Sequence, residues 1–119
     1  MADIGAIPSS ISVVIDPAVT APAVGNTFRI QPTDSTADLS VTFQATGTLT
    51  GLSSDLQISL DGGTTWVNYQ GAASGTPIGT AFLTAAAPQR TLTPIIGNAM
   101  LRFNHTASTG NAVIRCMAN

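Results

Sequence analysis

DLSVTFQAT, Asp38 to Thr46, alternates at every position. Leu39, Val41, Phe43 and Ala45 fall on one side of an extended chain; Ser40, Thr42, Gln44 and Thr46 fall on the other. A period of two is the pattern of a half-buried β-strand, because successive side chains point to opposite faces of a pleated backbone. The polar side of this strand carries hydroxyls and amides and no charge. Threonine and serine suit a strand whose outer face meets water, or another protein, without ionic contacts.

Similar runs recur on both sides of it, separated by turn residues. Ile11–Asp16 reads as a strand stopped by Pro17, and Asn26–Gln31 as a strand with Phe28 and Ile30 on one face. Leu56, Ile58 and Leu60 alternate with Gln57 and Ser59, and Trp66–Gln70 returns after a glycine turn. Thr80–Thr84 is a short strand around Phe82. Arg90–Ile96 contains Pro94, which predicts a sheet edge because proline has no amide for a neighbouring strand. Ala99–Asn104 and Asn111–Met117 complete the series, the last with Ala112, Ile114 and Cys116 inward. Helix formers are scarce: the chain has no glutamate and no lysine. The pattern predicts an all-β protein, an antiparallel β-sandwich of jelly-roll or Ig-like Greek-key type with about eight or nine strands. Residues 11–119 form the single domain, preceded by an extended N-terminal arm over residues 1–10, which has little periodicity. The arm is expected to be disordered in the free protein.

Charge is sparse. Four arginines and six aspartates make up 8% of the 119 residues, with a formal net charge of -2, against about 25% charged residues in an ordinary domain. No basic face exists to bind nucleic acid. No apolar run is long enough for a membrane helix, and MADIGAIPSS lacks the features of a secretory signal. Cys116 is the single cysteine, so it forms no internal disulfide, and burial as a small apolar side chain is its expected role. Folding in a reducing host cytoplasm is expected. A surface with so little charge has weak protection against association, which favours a subunit covered by neighbours.

SLDGGTTW, Ser59–Trp66, matches S-x-D-x-G-x-T-W at Ser59, Asp61, Gly63, Thr65 and Trp66. This is the Asp-box pattern of β-propeller glycosidases and of unrelated β proteins. Glycines permit the tight turn, the Asp61 carboxylate can accept amide hydrogens across it, and Trp66 can fold over the hairpin. The octapeptide is therefore expected to staple a hairpin, and no catalytic role is assigned to Asp61. His105 is the only histidine and sits beside a predicted turn, where a surface position is expected. A hydrolase would need a pocket with His105 beside a carboxylate. Asp34 and Asp38 flank one turn without the spacing of a calcium loop. No catalytic, metal or cofactor site is predicted, and no small-molecule substrate. Trp66 and Tyr69 are the only candidates for a sugar-stacking platform.

Arg29, Arg102 and Arg115 each fall within a predicted strand beside apolar residues. Arginine suits interface ion pairs, and these three are candidates to bridge to aspartates on neighbouring copies. Val113 and Met117 share a face with Arg115. Together with Ile4 and Ile7 of the arm, these five are the candidate subunit or capsid contacts.

From Asp55 to Asn119 the order of phrases, a strand, SLDGGTTWVNYQG, AMLRFN, a Thr/Ser/Gly turn and AVIRCMAN, resembles small bacteriophage virion proteins. The short, alanine-, threonine-, glycine- and serine-rich chain is similar to capsid decoration (cement) proteins. That resemblance implies a structural protein at the capsid surface of the virion. It also implies a homotrimer that binds the major capsid protein, with arms reaching over it, and no enzymatic activity. The alternative is a glycan- or receptor-binding β-sandwich module of a phage fibre, spike or baseplate.

Overall fold

The structure is a computed structural model that describes residues 2–32, 39–70 and 78–119. Eleven strands make up the described chain, in the order β1 Asp3–Ile7, β2 Ser12–Val19, β3 Ala23–Val24, β4 Thr27–Ile30, β5 Val41–Thr48, β6 Ser53–Ser59, β7 Val67–Asn68, β8 Leu83–Thr84, β9 Gln89–Leu92, β10 Met100–Ala107 and β11 Asn111–Ala118. No described residue is helical. The strands form two sheets. A seven-stranded sheet has the order β1-β4-β10-β6-β7, with β3 also paired to β10 and β8 to β6; a four-stranded sheet has the order β2-β11-β5-β9.

The core lies between the sheets, and the predicted alternation supplies it. Val41, Phe43 and Ala45 of β5 are buried, as are Leu101 and Phe103 of β10 and Ala112, Ile114 and Cys116 of β11. All four phenylalanines converge. Phe43 packs edge-on against Phe103 at 5.2 Å and against Phe82 at 5.6 Å, and Phe28 lies 5.9 Å from Phe43. Edge-to-face pairs of this kind add about 0.5–1.5 kcal/mol each beyond area burial. Since Phe43 belongs to one sheet and Phe28 and Phe103 to the other, the cluster clamps the two layers. Burial pushes the Cys116 thiol up to about 12, so it stays protonated and unreactive.

Two expectations about backbone path need correction. Pro17 does not stop the first strand; β2 continues to Val19. The strand is an outer one, and its register against β11 shifts between Ala112 and Ile114, so a residue without an amide is accommodated there. Leu60 does not continue the inward alternation: β6 ends at Ser59, and Leu60 stands 77% exposed. By contrast β9 is an outer strand, as expected, but it ends at Leu92 and Pro94 lies just beyond it.

The N-terminal arm is also corrected. Asp3–Ile7 is strand β1, paired in parallel with β4, so the seven-stranded sheet is not wholly antiparallel. Ile7 is a core residue at 1% exposure rather than a contact for a partner, and Ser9 lies opposite Ala118 at the end of the other sheet, where the Ser10 amide donates to Ala118 O. The weak periodicity of this segment hid one apolar anchor and a set of backbone hydrogen bonds. Residues 2–10 therefore belong to the domain and tie its two sheets together.

Candidate functional site

The Ser59–Trp66 turn is held by hydrogen bonds to two side chains. Ser59 Oγ donates to Asp61 Oδ1 at 2.7 Å and accepts from the Gly63 amide at 2.9 Å. Asp61 Oδ1 also accepts from the amides of Thr64 and Thr65. Gly62 and Gly63 take positive φ angles of 75° and 93°, which side chains disfavour. The Thr65 amide, then Ser59, holds the Asp61 carboxyl down at about 2. Trp66 Nε1 donates to Gly63 O, and the Arg102 guanidinium lies 4.2 Å above the indole. The Ser59 hydroxyl, the Asp61 carboxylate and the Trp66 indole N–H thus all serve the turn. Trp66 is half-buried, not enclosed, and its ring carries an arginine. Tyr69 is buried, with its hydroxyl accepting from the Ile96 amide, so the two aromatics do not make a platform.

His105 is not a surface residue. It continues the inward alternation of Leu101 and Phe103 and is 3% exposed. Its Nδ1 lies 2.7 Å from Ser54 Oγ, and its Nε2 lies 2.8 Å from Asp16 Oδ2. Asp16 comes from the four-stranded sheet, whereas Ser54 and His105 come from the other. Asp16 Oδ1 accepts from the Asn26 amide, and Asn26 Nδ2 donates to Ile15 O. A carboxylate can only accept, so Nε2 donates to it; in the neutral ring Nδ1 then accepts the Ser54 hydroxyl proton. The row contains serine, histidine and aspartate, and His105 and Asp16 line a groove of about 160 Å³. Yet Ser54 is wholly buried and does not reach that groove. Its hydroxyl has no path to a substrate here, and the row acts as a polar brace between sheets. The alternation Leu101, Phe103, His105 was the signal for burial; the pairing with Asp16 had none, because it joins residues 89 positions apart.

The arginines separate into different roles. Arg29 bridges to Asp3 of its own chain at 3.2 Å. Arg102 stacks on Trp66, donates from Nε to Gln57 Oε1, and has its pKa lowered by desolvation. Arg90, which sequence reasoning did not single out, lies 4.5 Å from the Phe82 ring centroid. Arg115 has no hydrogen bond, ion pair or ring contact among the described residues.

Arg115 sits on the outer face of the four-stranded sheet. Strand register builds two rows across that face: Ser12, Met117, Thr42 and Thr91, and beside it Val14, Arg115, Gln44 and Gln89. Thr42 and Thr91 hydroxyls are 2.7 Å apart, and Gln44 Nε2 donates to Gln89 Oε1 at 3.0 Å. These cross-strand pairs hold the polar half of the face in place. Met117 and Val14 are exposed at 48% and 37%, and Val113 is half-buried beside them. A shallow cavity of about 440 Å³ opens here, with Ser12, Thr42, Gln89 and Arg115 in its wall. Of the predicted contacts, Val113, Arg115 and Met117 come together; Ile4 lies on the other sheet, half-buried.

Asp34, Asp38 and most of the Gly71–Gly79 loop lie outside the described residues. Among the described residues no group of histidine, cysteine and aspartate is arranged to hold a metal ion. Comparison with protein-family models, with curated proteins and with solved structures finds no match.

Proposed function

We propose that this chain is a structural virion protein of the capsid decoration type, which binds and stabilises a phage head by protein–protein contact. The outer face of the four-stranded sheet is the contact surface. One observation carries the proposal: a single rigid sheet face combines exposed Val14 and Met117 with Arg115 and a row of hydroxyls and amides, in a chain that is otherwise almost uncharged. Exposed apolar side chains with an arginine among neutral polar groups have the composition of an interface, where lysine and acidic residues are depleted. A decoration protein needs many copies of one modest contact. Binding only the assembled shell then favours the shell by mass action. On this proposal the subunits act as a homotrimer on the major capsid protein. The interleaved order, with β11 between β2 and β5 and β10 between β4 and β6, favours a Greek-key sandwich.

The test is co-sedimentation of the purified protein with empty phage shells, together with its mass in solution. Saturable binding, and shells that break at a higher temperature when decorated, support the proposal. A monomer that ignores shells and binds saccharides overturns it in favour of the fibre module. The Ser54–His105–Asp16 row has the residue types of a serine hydrolase, a reading that the wholly buried Ser54 opposes. A fluorophosphonate probe decides it: labelling of Ser54 would establish a nucleophile, and the buried hydroxyl predicts none.

A further inference from the structure

We propose that the cavity at Arg115 is a carboxylate-binding site, and that it takes an aspartate or glutamate side chain of a different protein docked on this sheet face. The inference rests on the decoration reading for its partner, but the site itself stands on geometry. Arg29, Arg90 and Arg102 are engaged within the chain, by Asp3, Phe82 and Trp66 respectively. Arg115 is exposed in the cavity wall and has no such partner among the described residues. A guanidinium fork matches a carboxylate with two parallel hydrogen bonds.

The surroundings select the ligand. Gln44 donates to Gln89 Oε1, which leaves the Gln89 Nε2 hydrogens with no protein acceptor among the described residues and places a neutral donor in the same row as the arginine. No second cation lies in the cavity wall, so a singly charged carboxylate is matched where a doubly charged phosphate is not. Val14 and Met117 flank the arginine and suit the methylene stem of an acidic side chain and the apolar residues around it.

The described aspartates of a second copy are poor sources for the carboxylate. Asp3 is held by Arg29, Asp16 by His105 and the Asn26 amide, Asp55 by the Ala81 amide, and Asp61 by Ser59 and two amides. Every carboxylate of a described aspartate is already claimed within its own chain. None of these four described aspartates is left over for a second copy, and the proposal commits to a carboxylate of a different protein.

The test has two arms. In the first, the 15N-labelled protein is titrated with a blocked pentapeptide, Gly-Ala-Glu-Ala-Gly, and with its glutamine counterpart. The glutamate peptide is expected to bind at least about tenfold tighter, shifting the Arg115 Nε–H and Gln89 side-chain signals, and Arg115→Gln removes the difference. Equal response to the two peptides, or shifts located elsewhere, overturns the site. In the second arm, shells are titrated with wild type, Arg115→Gln and Met117→Asp. Arg115→Gln is expected to weaken binding by about thirtyfold at low salt, with a shallower salt dependence. Shell binding lost in Met117→Asp but unchanged in Arg115→Gln overturns the carboxylate contact and leaves the face standing. Glutamate selectivity without any shell binding upholds the site and overturns the decoration reading. A wild-type oligomer that Arg115→Gln dissolves overturns the assignment to a different protein.

Discussion

His105→Phe tests the brace between the sheets. Phenylalanine keeps a planar ring in the place where the imidazole stacks on Phe103, with centroids 6.2 Å apart and planes 19° from parallel. What it removes is the pair of bonds to Ser54 Oγ and Asp16 Oδ2, at 2.7 and 2.8 Å. Ser54 is wholly buried and Asp16 only 5% exposed, so neither is fully rehydrated. Leaving a buried carboxylate and a buried hydroxyl each short of a hydrogen-bond partner costs about 3–5 kcal/mol together. For a chain of 119 residues the unfolding entropy is about 250 cal/mol/K, so a loss of about 4 kcal/mol lowers Tm by about 16 °C. Ser54→Ala alone is expected to cost about 1–2 kcal/mol, by leaving Nδ1 without a donor. The double variant has no orphaned hydroxyl and no ring nitrogen left without a donor, so its cost should fall short of the sum by about 1 kcal/mol. Urea unfolding followed by Trp66 fluorescence measures all three. A loss below about 1 kcal/mol for His105→Phe, or costs that add within about 0.3 kcal/mol, would refute the idea that the row fastens the sheets.

Gly25→Ala should damage the same brace from its far side, because a Cβ there meets both carboxylate oxygens of Asp16. Thermal unfolding should show a loss of about 1–3 kcal/mol. Ile7→Ala should cost about 2–5 kcal/mol in urea unfolding, since Ile7 is a core residue, and removal of residues 1–10 should destabilise the domain rather than only weaken shell binding. An unchanged midpoint in the truncated protein would show β1 to be dispensable. Asp61 contributes acid-dependent stability. Its folded pKa of about 2 is below the ordinary 3.8, so its contribution is complete above about pH 4 and fades as pH falls toward 2. Asp61→Asn should flatten the decline in Tm across that window, measured beside wild type at each pH.

Residue-to-residue alternation made most of the fold legible. Asp38–Thr46, Ala99–Asn104 and Asn111–Met117 read as strands because burial of one sheet face imposes a period of two, and that constraint is written locally. The turn at Ser59–Trp66 was equally local: every group that holds it lies within eight residues, so composition and spacing sufficed. His105 shows the limit. Its inward direction continues the alternation of Leu101 and Phe103, but ending the expected strand at Asn104 put it at the surface; its partners Ser54 and Asp16 are 51 and 89 positions away, and only the stacking of two sheets brings them together. The same holds for β1, whose role depends on β4 and on Ala118, and for the arginines, whose sequence contexts look alike. Chain neighbours set which way a side chain points. Which strand lies opposite it is decided by long-range pairing, and that pairing tied Arg29 to Asp3, laid Arg102 on Trp66, and left Arg115 on an outer face without a partner among the described residues.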